Sequence, residues 1–260
     1  MKIIARIRSD FPTKFGIPRQ SGRVEELAAC IVFEPEYRVR EAVKGLEDFS
    51  HIWLLWEFSQ SIRESWSPTV RPPRLGGNER MGVFATRSPF RPNPVGLSCV
   101  KLEKIDMESK EAPVLIVSGA DLMDGTPIYD IKPYLPVADC HPEALGGFAT
   151  KVEQHFLQVE IPEEWKARIP EDKLSALEGV LREDPRPAYQ KNPERIYGMP
   201  FAGMDVRFQV KNGILTVCEI TEYKNQTKFK IPLTNFLSDD IIINELANTN
   251  SLFEIEVSLK

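Results

Sequence analysis

Between Arg71 and Gly96 no regular helix can run. Five prolines (Pro72, Pro73, Pro89, Pro92, Pro94) and four glycines (Gly76, Gly77, Gly82, Gly96) interrupt the stretch, and each either removes a backbone donor or loosens the chain. The segment is therefore predicted to form stiff loops around one short strand, Met81 to Thr86. It also carries Arg71, Arg74, Arg80, Arg87 and Arg91, opposed only by Glu79, in a chain whose formal net charge is -5. Guanidinium forks on loops with pre-set φ angles grip planar anions at little entropic cost. A solvated turn with ordinary surface charges is the plainer reading, but scattered surface charges need no such rigid frame.

Composition narrows the classes. The 260 residues, 42% hydrophobic and 27% charged, suffice for one substantial core or for a main unit with a smaller partner. No apolar run approaches the roughly 20 residues of a membrane span, and the opening MKIIARIRSDF returns quickly to charge. Cys30, Cys99, Cys140 and Cys218 stand singly without metal-ligand spacing, and His51, His141 and His155 are not paired. Reduced thiols in a cytoplasmic protein without a metal are expected. Net acidity argues against nonspecific coating of nucleic acid, while leaving room for one RNA feature held on one positive face.

Along the chain, strands are expected at Lys2 to Ile7, Leu27 to Phe33, Leu97 to Ile105 and Val114 to Val117. Arg40 to Leu46 suits a short helix. The run Phe49 to Phe58, FSHIWLLWEF, is apolar throughout and reads as a strand buried on both faces, its tryptophans and His51 in the core or barrel wall. Six or seven strands before residue 140 with almost no helix predict an antiparallel sheet closed into a barrel. No GxGxxG follows a strand, so a Rossmann cofactor site has no support. Composition shifts near Cys140 to Thr150, giving units at 1–145 and 146–223. The second is predicted to be a small α+β domain, with a strand over Leu157 to Ile161, a helix over Glu171 to Arg182 and a hairpin turning at Asn212-Gly213. Five isoleucines and three phenylalanines in residues 224–260 predict an ordered accessory tail.

Three motifs remain: PRLGGNERMGVFATRSPFRPNPVGLS (Pro73 to Ser98), DGTPIYDIKPYLP (Asp124 to Pro136) and DPRPAYQ (Asp184 to Gln190). With these, the chain from about Ile4 to about Tyr223 resembles the β-barrel tRNA methyltransferases that methylate N6-threonylcarbamoyladenosine on the 3′ side of the anticodon. The resemblance implies S-adenosylmethionine as donor, tRNA as partner and a homodimer with the cofactor near the subunit contact. It implies cofactor contacts from Pro18, Arg19, Gln20, Ser59, Gln60, Arg87, Leu97, Asp124, Gly125, Thr126 and Pro127. Ser59 stands where many members have histidine, so only a hydrogen-bonding role carries over. Asp130, Lys132 and Tyr134 are candidates for the acceptor end: a carboxylate to take the N–H hydrogen, a cation for phosphate or the threonylcarbamoyl carboxylate, and a ring to stack on the base. Taken singly, Asp130 reads as a turn former, Lys132 as solvated surface and Tyr134 as core. Arg74, Arg80, Arg91, Arg186 and Tyr189 are candidate substrate contacts, with Gln190 where some relatives carry a basic residue. A non-catalytic RNA- or nucleotide-binding module built on the same arginines is the rival reading.

Overall fold

The computed structural model describes residues 1–72, 79–151, 156–186 and 192–224. Arg74, Tyr189, Gln190 and the tail from residue 225 on lie outside the described residues. In chain order the strands are β1 (Ala5–Arg8), β2 (Ala28–Phe33), β3 (His51–Glu57), β4 (Thr69–Val70), β5 (Met81–Gly82), β6 (Val95–Asp106), β7 (Val114–Ser118), β8 (Pro127–Pro133), β9 (Gln158–Glu160), β10 (Ile196–Phe201), β11 (Met204–Lys211) and β12 (Ile214–Glu222). The helices are α1 (Pro136–Asp139), α2 (Glu163–Lys166) and α3 (Glu171–Arg182).

Six strands close an antiparallel barrel in the order β1-β2-β7-β6-β3-β8, with β8 returning to β1. Period-two alternation fills it: Ala5 and Ile7, Ala29 and Ile31, Ile52 and Leu54, Val100 and Leu102, Leu115 and Val117 form one buried cluster. Each of the isoleucines, leucines and valines among them contributes roughly 1.5–3 kcal/mol on leaving water.

Local readings shift in three places. Phe49 to Phe58 is not buried on both faces: Ile52, Leu54 and Trp56 point inward, while His51, Trp53, Leu55 and Glu57 are half-buried on the outer face. The apolar outer residues had masked the alternation. Met81 to Thr86 is strand only over β5, because Val83–Ala85 coils into a 3-10 turn that buries Val83. Arg40 to Leu46 yields two 3-10 turns, Arg40–Val43 and Leu46–Asp48, separated by Gly45 at φ 84°.

The second sheet runs β10-β11-β12-β9, with β9 parallel to β12. Its β11–β12 hairpin turns at Asn212 (φ 54°) and Gly213 (φ 81°), the pair of positive φ angles that two-residue hairpins require. Helix α3 follows the expected span and buries Ala176, Leu177, Val180 and Leu181. The core beneath it is not purely C-terminal. Phe11, Val24 and Leu27 of the β1–β2 connection lie within it, with Phe15 and Ile17 packed against it. Phe11 meets Phe201 edge-on at 5.4 Å, Ala202 N donates to Asp10 O at 2.9 Å, and Arg23 forks onto Glu183 at 2.5 and 2.9 Å. Lys173 of α3 donates to Asp10 at 2.8 Å with both side chains buried.

Candidate active site

A cavity of about 460 Å³ opens where the β1–β2 connection, the end of β3, the loop after β5 and the start of β6 converge. Its floor is aromatic. Trp56 is buried at the end of β3, and its indole lies across Gly96, the β6 residue paired with it. A Cβ at Gly96 would fall inside the indole ring atoms, so this position admits only hydrogen. Phe58 packs beside Trp56 with ring centroids 4.2 Å apart. A polar chain runs from the floor to the cavity wall: Trp56 Nε1 donates to Ser98 Oγ at 2.9 Å, and Ser98 donates to Asp121 Oδ1, a lining residue, at 2.6 Å. Burial pushes the Asp121 carboxyl above its ordinary range, offset in part by the Ser98 bond and the Arg87 charge.

Arginine supplies the opposing pole. Arg87 Nη1 donates to Gln20 Oε1 across the mouth, joining the loop after β5 to the β1–β2 connection. Lys14 Nζ ties the same connection to the segment after β3, donating to Gln60 O at 2.8 Å and Ser61 Oγ at 3.1 Å. Pro18, Arg19, Gln20, Ser59, Gln60, Arg87, Leu97 and Thr126 therefore line one cavity, and Arg91 lines it too. Arg91 is held by the carbonyls of Thr86 (3.0 Å) and Ser88 (3.3 Å), which fixes the loop bearing Arg87.

Other expected residues sit elsewhere. Asp124, Gly125 and Pro127 are not in the lining. Asp124 Oδ1 accepts from Ser9 N at 3.1 Å, and Gly125 N donates to Ile7 O at 2.8 Å, so this turn pins Thr126 against β1. Arg80 donates to Thr69 Oγ1 at 3.2 Å, bracing the β4–β5 ribbon. Arg186 is clamped by Asp184 at 2.8 and 2.9 Å. Asp130 and Lys132, further along β8, and Tyr134, just past its end, stand outside the cavity. Lys132 and Asp130 pair at 2.9 Å on an exposed face. Tyr134 packs on Trp53 (centroids 5.7 Å) and His51 (6.2 Å).

Comparison with known proteins follows this division. Residues 6–140, which hold the barrel and the whole cavity, match the tRNA-methyltransferase O N-terminal domain, and residues 154–223 match the TrmO C-terminal domain. The chain belongs to the tRNA-methyltransferase O family. It is 43% identical over 222 residues to the tRNA (adenine(37)-N6)-methyltransferase of Escherichia coli K12, covering 80% of this chain and 91% of that protein. It is 48% identical over 170 residues to the Eikenella corrodens protein of the same name, covering 65% and 95%. A crystal structure of TrmO from Pseudomonas aeruginosa superposes with a TM-score of 0.67 at 32% identity, covering 84% of this chain and 97% of the other. Among the described residues, no three His, Cys, Asp or Glu side chains gather to hold a metal ion, and no helix is long and apolar enough to cross a membrane.

Within this TrmO fold, the motifs missed several cavity residues, among them Lys14, Trp56, Glu57 and Asp121. Glu57 is oriented by a β-bulge. Leu55 faces Asp130 and Trp56 faces Ile128, leaving Tyr129 as the extra residue on β8. The bulge turns its hydroxyl onto Glu57 Oε1 at 2.5 Å. Burial and the Glu57 contact push the Tyr129 phenol up to about 12. A glutamate ending an otherwise apolar strand was the one available hint; Asp121 had none, since its role depends on Ser98 and Trp56 meeting across β6 and β3.

Proposed function

We propose that this chain transfers a methyl group from S-adenosylmethionine to N6 of N6-threonylcarbamoyladenosine beside the anticodon of tRNA. The observation that carries the reading is the donor set of the cavity. An aromatic floor, two carboxylates and a loop arginine share about 460 Å³, within the range of small-molecule sites. Trp56, Phe58 and Leu97 suit an adenine ring, Asp121 and Glu57 suit hydroxyl or ammonium donors, and Arg87 suits a carboxylate. The E. coli relative's name supports the same acceptor position. A cytoplasmic location goes with that substrate.

The bound donor would supply an electrophilic methyl group with a neutral thioether as leaving group. The chain's task is then placement: hold N6 in line at near-attack distance, exclude water, and accept the N6 proton as the N–C bond forms. Asp130 is the proposed acceptor of that proton, with Lys132 beside it for anionic substrate groups and Tyr134 for stacking. These three lie outside their own subunit's cavity. We assign them to a homodimer in which the outer faces of β3, β6 and β8, bearing Trp53, Leu55 and the exposed Leu97, meet a second copy. One subunit then completes the other's site.

Calorimetry with S-adenosylmethionine and mass spectrometry of nucleosides from treated tRNA test the reading. Saturable binding and a methylated nucleoside are expected. RNA binding with an unchanged base mass would instead make the chain a binding module. Arg87→Ala should weaken donor binding by about 1–3 kcal/mol, the cost of a lost charge-assisted hydrogen bond.

A further inference from the structure

Outside the cavity, an exposed aromatic pair has no role in the reading above. Trp66 is 50% exposed and Phe84 is 71% exposed. Their rings lie 6.0 Å apart at 29°. They flank the same open end of the antiparallel β4–β5 ribbon, Trp66 before β4 and Phe84 after β5, and the ribbon holds them together: Thr69 faces Gly82 and Val70 faces Met81, Val83 N donates to Pro68 O at 2.9 Å, and Ser67 Oγ donates to Thr69 O at 2.7 Å. Val83 is the anchor. It is 1% exposed, so the 3-10 turn that buries it swings the next residue, Phe84, outward.

Two features point to a ligand with flat rings and negative charge. Exposed Arg71 and Arg80 lie on the same ribbon, and Arg63 stacks its guanidinium 3.6 Å from the Phe90 ring. These cations outnumber the local carboxylates Glu64 and Glu79. Phe84 also stands two residues before Thr86, and Thr86 and Arg87 line the cavity. We propose that Trp66 and Phe84 form a stacking platform for an unpaired RNA base neighbouring the one that enters the cavity, with Arg71 and Arg80 following the phosphates. The platform rests on the tRNA reading above and adds a subsite to it. Stacking suits this use because every base has a π face and the rings are already ordered, so little entropy is lost on binding.

The test uses the full chain with Trp66→Ala, Phe84→Ala and the conservative Phe84→Tyr, titrated with a fluorescent anticodon stem-loop RNA. Loss of one base stack predicts about ten- to hundredfold weaker RNA binding for each alanine variant. The KM for RNA should rise in parallel, with kcat and donor affinity held, and Phe84→Tyr should retain binding. Unchanged RNA affinity overturns the platform, as does an equal loss of donor affinity, which would make the pair part of the cavity wall. Sedimentation provides the third check: a shift from dimer to monomer in the alanine variants would make the pair a subunit contact and overturn the proposal. RNA binding that depends on both rings without any methylation would sink the catalytic reading and keep the platform. Methylation with ring-independent RNA binding would do the reverse.

Discussion

In the barrel, the side chains that face the cavity stand on β3 and β6 or on loops leaving strand ends; in the C-terminal sheet none does. Yet the C-terminal core holds Phe11, Val24 and Leu27 of the connection that also carries Pro18, Arg19 and Gln20 to the cavity mouth. The barrel therefore supplies the floor and the second sheet supplies the brace. The difference teaches that a long loop can be made rigid from behind. Its apolar residues are buried in a neighbouring core, and the polar residues between them are left to face a ligand.

The brace is most directly broken at Lys173. Lys173→Ala strands Asp10 in a buried position, and losing one partner of a buried pair costs about 3–5 kcal/mol. Chemical denaturation measures it. Burial pushes the Asp10 carboxyl upward even beside Lys173, and without the lysine that burial acts unopposed. A raised carboxyl favours the folded state below its unfolded value and loses that contribution as pH rises through the folded one. The deficit should therefore be smaller in acid than at pH 8. If donor binding by the still-folded variant is also unchanged, the second sheet does not brace the mouth.

Gly96→Ala breaks the floor instead. The added methyl group must displace Trp56 or part β3 from β6, an overpacking cost of about 1–3 kcal/mol. Donor affinity and the near-UV signal of Trp56 should both be lost, with the C-terminal core intact. Wild-type donor affinity in this variant would remove Trp56 from the site.

How far the sequence announced this division depends on the range of each signal. The Asn212-Gly213 hairpin and helix α3 were legible because both are local, one in two adjacent φ angles and the other in a 3.6 period. Strand β8 was hidden inside a motif rich in proline and aspartate, and β10 by Gly198 and Pro200. The brace was illegible: nothing near Phe11 or Asp10 says that Phe201 and Lys173 await them. The same holds at the site. Loop motifs located Gln20 and Arg87, but Asp121 becomes a buried acceptor only because two strands set Ser98 and Trp56 against it.

The smallest expected effect sharpens the comparison most finely, because it acts on one hydrogen bond of the barrel side alone. Tyr129 is the extra residue of the β8 bulge and donates to Glu57, which lines the cavity. Tyr129→Phe keeps the ring and removes the donor, a loss of about 0.5–1.5 kcal/mol in stability. A phenol raised to about 12 in the fold stabilises the protein fully below its unfolded value near 10, and that contribution fades as pH climbs through the folded one. The gap between wild type and variant should accordingly be flat from pH 6 to pH 9 and close above pH 10. If the bulge exists to aim Glu57 at a ligand, donor affinity should also fall severalfold, and Glu57→Gln, which still accepts from Tyr129 but lacks the charge, should weaken binding without the same loss of stability. Equal denaturation midpoints and equal affinities for all three proteins would leave Asp121 and Arg87 as the polar poles of the cavity and reduce the bulge to a strain-relieving kink where β8 turns toward β1.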